Sequence, residues 1–262
     1  MNDKLENYEK RWTILHIILL FFASLAGAAC NRTAPAEITV SAAANLIPAF
    51  NEIGAAFEVK SGIKVVYNFG GSGKLAQQIE QGAPVDLFAS ANVDYVTRLQ
   101  TAGLISAQTE QVYARGRLVM WGRDEDLVPQ TIADLADRPI ERIAMANPQH
   151  APYGVIARAA LENGGLWEEL QPKLVLADDV RQTLTYAETG DVTVALVPLS
   201  LVFQLDQGGY SLIPADLHPP IEQALGVVNS SRKQAEAQQF VDFVLSEAGQ
   251  TVLEKYGYES IR

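Results

Sequence analysis

The stretch Ile38-Thr-Val-Ser-Ala-Ala-Ala-Asn-Leu-Ile-Pro48 contains the unit from which the rest of the chain is built. Residues 38–42 form a short, mostly apolar run that predicts a buried strand. Asn45 is a good residue for a helix N-cap and Pro48 is tolerated in a first helical turn, so a helix is predicted over residues 46–60. A strand that leads through small residues into a helix is the repeating unit of α/β proteins.

The same alternation of strands and helices continues along the chain. Further strands are predicted at residues 64–69, 85–89, 117–121, 142–146, 173–176 and 192–197, and further helices at 73–81, 93–101, 153–163 and 180–189. This order predicts a parallel, doubly wound α/β architecture. Two later helices, over residues 233–245 and 247–256, place Phe240, Phe243 and Val244 on one stripe, which predicts that they pack back onto a lobe.

The charge balance and the Cys count exclude several classes of protein. The 262 residues include 20 Lys and Arg against 31 Asp and Glu, so the formal net charge is −11. A sequence-independent nucleic-acid binder needs a basic face, so no nucleic-acid partner is predicted. One Cys cannot form a disulfide framework or a cysteine metal cluster, and three scattered His residues do not suggest a zinc or iron site. The sequence therefore predicts no metal cation and no cofactor.

Residues 1–29 have the layout of a secretory signal peptide: a charged region ending at Arg11, an apolar run, and then small residues. The apolar run is close to the length of about 20 residues that a membrane-spanning helix needs, so a permanent anchor is the alternative. The run ends in Ala, Gly and Ser, which favours cleavage and export.

The chain's one Cys, Cys30, lies directly after this signal. Gly27-Ala-Ala-Cys30 resembles the lipobox of bacterial lipoproteins, which predicts acylation of Cys30 and attachment to a membrane face. Gly27 stands where Leu is usual, so release after an Ala-x-Ala site remains open. Residues 30–36 are small and polar and are predicted to form a tether.

Four predicted strands lead into helices through entries that suit an anion. Asn45 and Ser72 are the predicted caps of two of them, and the others are Asn147-Pro-Gln-His-Ala-Pro-Tyr-Gly154 and Ala177-Asp-Asp-Val180. Helix N-termini carry unpaired N–H groups and a partial positive charge, and the carboxyl ends of strands in doubly wound sheets face the ligand crevice. The four entries together predict an anion site, although ordinary helix capping remains the alternative at each.

Other motifs do not support an enzyme. Gly71-Ser-Gly-Lys74 suggests a phosphate loop, but Asn68 stands where its first Gly is needed and Leu75 where Ser or Thr would bind magnesium. Asp178 and Asp179 could form an acid–base pair, yet adjacent acids at a helix start usually serve as caps. His150 has no evident nucleophile partner. We therefore predict that the protein is not an enzyme.

Several stretches resemble one family from about Ile38 to the C-terminus. They are residues 38–46, 69–80, 82–91, 147–154 and 177–182, of which Gly82-Ala-Pro-Val-Asp-Leu-Phe-Ala-Ser-Ala91 is the most specific. The chain resembles the molybdate-binding components of ABC importers, which are type II periplasmic binding proteins. The resemblance implies an α/β fold of two Rossmann-like lobes joined by a two-strand hinge. The expected lobes are residues 37–116 plus 203–262, and residues 117–202.

The resemblance also implies a set of ligand-binding residues. An oxyanion would be held by the side chains and amides of Asn45 and Ser72 and by amides near Tyr153 and Val180, with the Ala44 backbone as a weaker candidate. Many members carry a Tyr donor where this chain has Pro198, which has neither a hydroxyl nor an N–H. This difference leaves the number of donors open.

The function implied by the resemblance is capture of molybdate or tungstate between the lobes and delivery to an ABC permease in the membrane. We expect an exported monomer, periplasmic or at the cell surface and held by a lipid anchor. The net charge of −11 says little about a small oxyanion held by backbone amides. The alternatives are a binding protein for sulfate or phosphate, a ligand-sensing domain, and an enzyme on the same scaffold.

Overall fold

Two five-stranded sheets form the frame of the molecule in a computed structural model that describes residues 36–137 and 140–261. The strands are β1 (Glu37–Ala43), β2 (Lys64–Gly70), β3 (Leu87–Ser90), β4 (Gln111–Gly116), β5 (Leu118–Gly122), β6 (Ile143–Ala146), β7 (Leu174–Ala177), β8 (Val194–Pro198), β9 (Gly209–Leu212) and β10 (Ile221–Val227). The first sheet has the order β2-β1-β3-β10-β4 and the second has the order β7-β6-β8-β5-β9.

Helices connect the strands much as the alternation predicts. They are α1 (Ile47–Ser61), α2 (Ser72–Glu80), α3 (Val93–Thr101), α4 (Asp134–Asp137), α5 (Pro152–Asn163), α6 (Trp167–Leu170), α7 (Val180–Glu188), α8 (Leu199–Val202), α9 (Gln234–Leu245) and α10 (Glu247–Lys255), with short 3-10 turns at Ala44–Leu46, Glu125–Leu127, Gln171–Lys173 and Ala215–Leu217. Every predicted strand and helix is present, with ends within two residues of the prediction. The α/β class is therefore confirmed.

The sheets are mixed rather than parallel, so that part of the prediction is wrong. β1 is parallel to β2 and β3, but β10 is antiparallel to both β3 and β4. In the second sheet β5 is antiparallel to β8 and β9. The strand β10 was not predicted because Glu222 and Gln223 interrupt its apolar pattern. Gln223 is nevertheless fully buried, since its side-chain amide is hydrogen-bonded.

One lobe boundary is also wrong. The prediction assigns residues 203–262 to the first lobe, but β9 pairs with β5 in the second sheet. The strand β9 was not predicted from the sequence because it is a short edge strand with partly exposed residues. The described part of the chain passes between the sheets twice, at residue 117 and at residues 213–220. Two lobes joined by two connections agree with the implied fold.

The C-terminal helices pack onto the first sheet as predicted. Phe240 and Val244 are fully buried and Phe243 almost so. The Phe240 ring lies edge-on to Phe50 and Phe57 of α1, with centroids 5.9 and 5.2 Å apart. Such aromatic pairs add to the free energy gained by burying the rings. This cluster fixes α1, and with it the turn at Ala44–Leu46 that precedes α1.

The predicted signal peptide over residues 1–29, Cys30 and the tether as far as residue 35 lie outside the described residues. Among residues 36–137 and 140–261, no helix has the length and apolar character needed to cross a membrane.

Candidate functional site

A small cavity lies where helices of both lobes begin. It is lined by residues 43–45, 70–72, Ala91, 151–153 and 179–180. All five residues predicted to hold the anion, Ala44, Asn45, Ser72, Tyr153 and Val180, are in this lining. The cavity has about 10 Å³ of water-accessible space, whereas pockets for drug-sized ligands occupy about 300–1,000 Å³. The geometry therefore suits a ligand of a few atoms.

Backbone amides at the helix starts face this cavity without partners. α2 and α5 have no side-chain cap, because their N-cap residues are Gly71 and Ala151. The amides of Ser72 and Tyr153 donate to no acceptor within residues 36–137 and 140–261. A helix start buried without caps leaves donors that water or a ligand can satisfy. Free amides at these helix starts fit an anion.

The start of α7 leaves a third amide free. The Asp179 carboxylate accepts from the amides of Arg181 and Gln182, at 2.9 and 3.0 Å. This cap does not reach the amide of Val180, for which the described residues offer no acceptor. The prediction that an acid of the 178–179 pair serves as a cap is thus confirmed for Asp179.

The Ser72 hydroxyl is not a helix cap, so that prediction is wrong. Ser72 is the first residue of α2, and its Oγ accepts from the Ala91 amide at 3.1 Å. This bond uses a lone pair and leaves the hydroxyl proton available. No acceptor for that proton lies in the described part of the chain. Ser72 therefore presents both an amide and a hydroxyl donor at the cavity wall.

Asn45 does not cap a helix either, because its side chain turns toward later parts of the chain. Its Nδ2 donates to Gln223 Oε1 at 2.9 Å and to the Tyr258 hydroxyl at 2.8 Å. The Tyr258 and Ser200 hydroxyls donate to the Asn45 carbonyl at 2.9 and 3.0 Å. Gln223, Tyr258 and Ser200 were missed by sequence reasoning. No local signal marks them, since they lie 155 to 213 residues from Asn45.

At the cavity, the donor that Tyr153 provides is its backbone amide, not its side-chain hydroxyl. The hydroxyl accepts from Gln223 Nε2 at 3.1 Å and lies against Gly116, and neither residue lines the cavity. Burial raises the pKa of the Tyr153 hydroxyl well above its usual range, so it stays neutral. Pro198, at the position of the family's Tyr donor, ends β8 and is not among the described residues that line the cavity.

The lobes touch beside the cavity. The Gly73 amide donates to the His150 carbonyl at 3.1 Å, and the Tyr95 hydroxyl donates to the same carbonyl at 3.3 Å. Lys74 pairs with Asp178 at 2.7 Å, and the hydrogen bond and charge of Lys74 lower the pKa of the Asp178 carboxyl. Lys74 is thus a link between lobes, in agreement with the rejection of a phosphate loop.

The described lining of the cavity has no cationic side chain. The described lining residues include no Lys, Arg or His, and Asp179 is the charged one among them. Its Oδ1 is occupied by the two amides that it caps. In the described residues no group of three or more His, Cys, Asp or Glu side chains could hold a metal ion. The arrangement offers hydrogen-bond donors and helix N-termini, which act more strongly in a dry site than in water.

Comparison with known proteins agrees with this fold. A family model described as bacterial extracellular solute-binding protein matches residues 38–259. The chain is 34% identical over 225 residues to the molybdate-binding protein ModA of Rhodobacter capsulatus, which covers 86% of this chain and 89% of that protein.

Solved structures of solute-binding proteins have the same fold. The periplasmic molybdate-binding protein of Azotobacter vinelandii superposes with a TM-score of 0.83 at 28% identity, over 86% of this chain and all of that one. The sulfate-binding protein SubI of Mycobacterium tuberculosis has a TM-score of 0.74 at 16% identity, over 86% and 87% of the two chains, which speaks for the fold alone. Because the family model matches residues 38–259, which are most of this chain, the chain belongs to the bacterial extracellular solute-binding proteins.

Proposed function

We propose that this protein captures molybdate or tungstate in the cavity between its lobes. The observation that carries the proposal is the set of unpartnered donors around a small cavity that has no cationic side chain: the amides of Ser72, Tyr153 and Val180 and the Ser72 hydroxyl. The backbones of Ala44 and Asn45 complete the wall. Hydrogen bonds from these donors to a charged oxygen are stronger than bonds between neutral groups.

The donors favour an anion that carries no proton. A protonated phosphate needs an acceptor as well as donors, whereas molybdate and tungstate at neutral pH need donors only. Relatives named as molybdate-binding proteins support molybdate as the bound anion. Sulfate is also fully deprotonated, so we attribute discrimination against it to the size of the cavity.

The two connections between the lobes suit a hinge that opens and closes around the ligand. In this proposal the protein acts as a monomer, carries no resident cofactor, catalyses no reaction and passes its anion to an ABC permease. Residues 37–116 with the later part of the chain from 221, and residues 117–212, would be the two moving bodies.

The sequence of residues 1–30 supports a proposal about where the protein is located in the cell. Cleavage before Cys30 and acylation of its thiol would hold the domain at a membrane face. Mass spectrometry of the protein from a bacterial membrane fraction should find the acyl mass on an N-terminal Cys30. A protein that starts at a later residue and stays in the soluble fraction would contradict this part of the proposal.

Thermal melting across four anions tests the ligand. With the first 30 residues removed, molybdate at a hundredfold excess over its dissociation constant should raise the free energy of unfolding by about 2.7 kcal/mol. Tungstate should act similarly, and sulfate and phosphate at the same concentration should leave the melt almost unchanged. A melt that responds to phosphate or sulfate but not to molybdate or tungstate would overturn the proposal.

Ser72→Ala tests a side-chain donor. Losing a hydrogen bond to a charged ligand costs about 1.5–3 kcal/mol, so calorimetry should find molybdate bound about tenfold to 150-fold more weakly. Ser61→Ala is the matched control, because the Ser61 hydroxyl also accepts from a backbone amide at 3.1 Å but lies outside the cavity. Equal affinities for the two variants would remove Ser72 from the set of donors.

A further inference from the structure

A buried polar network lies behind the cavity and centres on Gln223 of β10. The Gln223 side chain is fully buried and does not line the cavity. Its Oε1 accepts from Asn45 Nδ2 at 2.9 Å and lies 3.0 Å from the Tyr113 hydroxyl. Its Nε2 donates to the Tyr153 hydroxyl at 3.1 Å. Gln223 thus contacts both Asn45 of the first lobe and Tyr153 of the second.

In this arrangement the Asn45 amide presents the wrong end to an anion. Both hydrogens of Nδ2 are used, by Gln223 and Tyr258. Oδ1 is buried and has no hydrogen-bond partner among the described residues. Since Asn45 lines the cavity, this unpartnered acceptor is the end of the amide left for a ligand. An oxygen lone pair repels an oxyanion, and a buried polar atom without a partner is costly.

Rotating the side-chain amides of Asn45 and Gln223 by half a turn, so that oxygen and nitrogen exchange places in each, gives Asn45 Oδ1 a donor and leaves Nδ2 for an anion. Gln223 Nε2 would then donate to Asn45 Oδ1 and to the Tyr113 hydroxyl, which has the Ser90 carbonyl at 3.1 Å as acceptor for its own proton. Gln223 Oε1 would accept from the Tyr153 hydroxyl, whose proton has no acceptor among the described residues as the structure stands. The two ends of a side-chain amide have nearly the same shape, so no other heavy atom needs to move. The Tyr258 proton would turn from the Asn45 carbonyl, which keeps the Ser200 hydroxyl as a donor, to Asn45 Oδ1.

We infer that Gln223 is a positioning residue for the anion site: with both amides turned over, it holds Asn45 Nδ2 toward the ligand. The inference rests on the proposed function. Only a residue with a donor and an acceptor can do this at position 223. An apolar residue leaves the Tyr258 hydroxyl as the remaining side-chain partner of the Asn45 amide. Because a hydroxyl can either accept from Nδ2 or donate to Oδ1, it does not fix which end of the amide faces the cavity.

A double-mutant cycle tests the inference, with molybdate affinity measured by calorimetry. Asn45→Ala should weaken binding about tenfold or more, because a donor to the anion is lost. Gln223→Met should weaken it by about fivefold or more, although this side chain does not reach the cavity. In the Asn45→Ala background, Gln223→Met should change the affinity by less than about twofold, since residues that act through one another are not additive.

Gln250→Met is the control for general damage to the core. Gln250 is equally buried, and its Nε2 donates to the Tyr113 and Val244 carbonyls rather than to Asn45. This variant should melt at a lower temperature and bind molybdate with the affinity of the unaltered protein. Melts without ligand identify any variant that does not fold, and Gln223→Glu, which when ionised only accepts, then replaces Gln223→Met with the same expected loss.

Three outcomes would overturn the inference. One is unchanged affinity in the Gln223→Met single variant. Another is unchanged or tighter binding by Asn45→Ala, which would mean that an acceptor faces the anion. The third is an effect of Gln223→Met that persists undiminished in the Asn45→Ala background. Failure of the proposed function looks different, because the unaltered protein would then ignore molybdate and tungstate. The same cycle, run with the anion that does bind, would still decide the role of Gln223.

Discussion

Val180→Pro is expected to lower the affinity for molybdate by more than about a hundredfold. The change deletes the one amide at the start of α7 that the Asp179 cap leaves free. Loss of a hydrogen bond to a charged group accounts for about 1.5–3 kcal/mol, and tenfold in affinity corresponds to about 1.4 kcal/mol. The proline ring also places a methylene group where the N–H pointed, so the ligand oxygen is displaced as well.

The fold should tolerate this substitution. Proline is favoured at the first position of a helix, and Asp179 has φ −152° and ψ 178°, the extended conformation that suits a residue before proline. The matched control is Val93→Pro at the first position of α3, where Asn92 has φ −149° and ψ 137° and caps the helix in the same way. Calorimetry should find that Val93→Pro binds normally. Equal binding by both variants would mean that the Val180 amide is not a donor.

Gly73→Ala is expected to remove most of the stabilisation that molybdate gives in a thermal melt. A Cβ on residue 73 would clash with the His150 carbonyl oxygen and lie 2.9 Å from the Tyr95 hydroxyl. It would also displace the hydrogen bond from the Gly73 amide to the same carbonyl, at 3.1 Å. These contacts join α2 of the first lobe to the loop after β6 of the second. The added methyl group therefore acts against closure around the ligand.

Gly70→Ala, at the end of β2, provides a control whose added methyl group faces Leu75 rather than the second lobe. A Cβ there would meet Leu75 Cδ2 at 3.5 Å, which is an ordinary van der Waals contact. Because the clash at residue 73 arises between the lobes, Gly73→Ala should melt near the temperature of Gly70→Ala when no ligand is present. With molybdate the two melts should separate by several degrees. Identical ligand-induced shifts would show that closure does not depend on this contact.

Local patterns were enough to predict most of the elements and the four helix entries, and the family resemblance supplied the five residues that line the cavity. Each of Asn45, Ser72, Tyr153 and Val180 follows a strand end and precedes or begins a helix, so their meeting follows from the order of elements along the chain. What each side chain does there could not be predicted in this way. Asn45 is a good cap by type, but its amide bonds to Gln223 and Tyr258, which no pattern near residue 45 reveals.

The strands β9 and β10 were missed for a related reason. β10 is a central strand whose sequence includes a buried Gln, and a buried polar residue is acceptable only when distant partners satisfy it. β9 gives a weak signal because it is an edge strand, and its omission led to the wrong lobe boundary. Both errors come from pairings between segments far apart in sequence.

The long separation between Asn45 and the residues that hold it also sets an order of events during synthesis. Gln223 and Tyr258 follow Asn45 by 178 and 213 residues. At about 5–20 residues per second, a ribosome needs on the order of ten seconds or more to make the intervening chain. Throughout that interval the first strand and its turn exist without the side chains that orient Asn45. A chain that stops short of residue 258 therefore lacks a side chain that orients Asn45, and the proposed export places ligand capture after synthesis and translocation are complete.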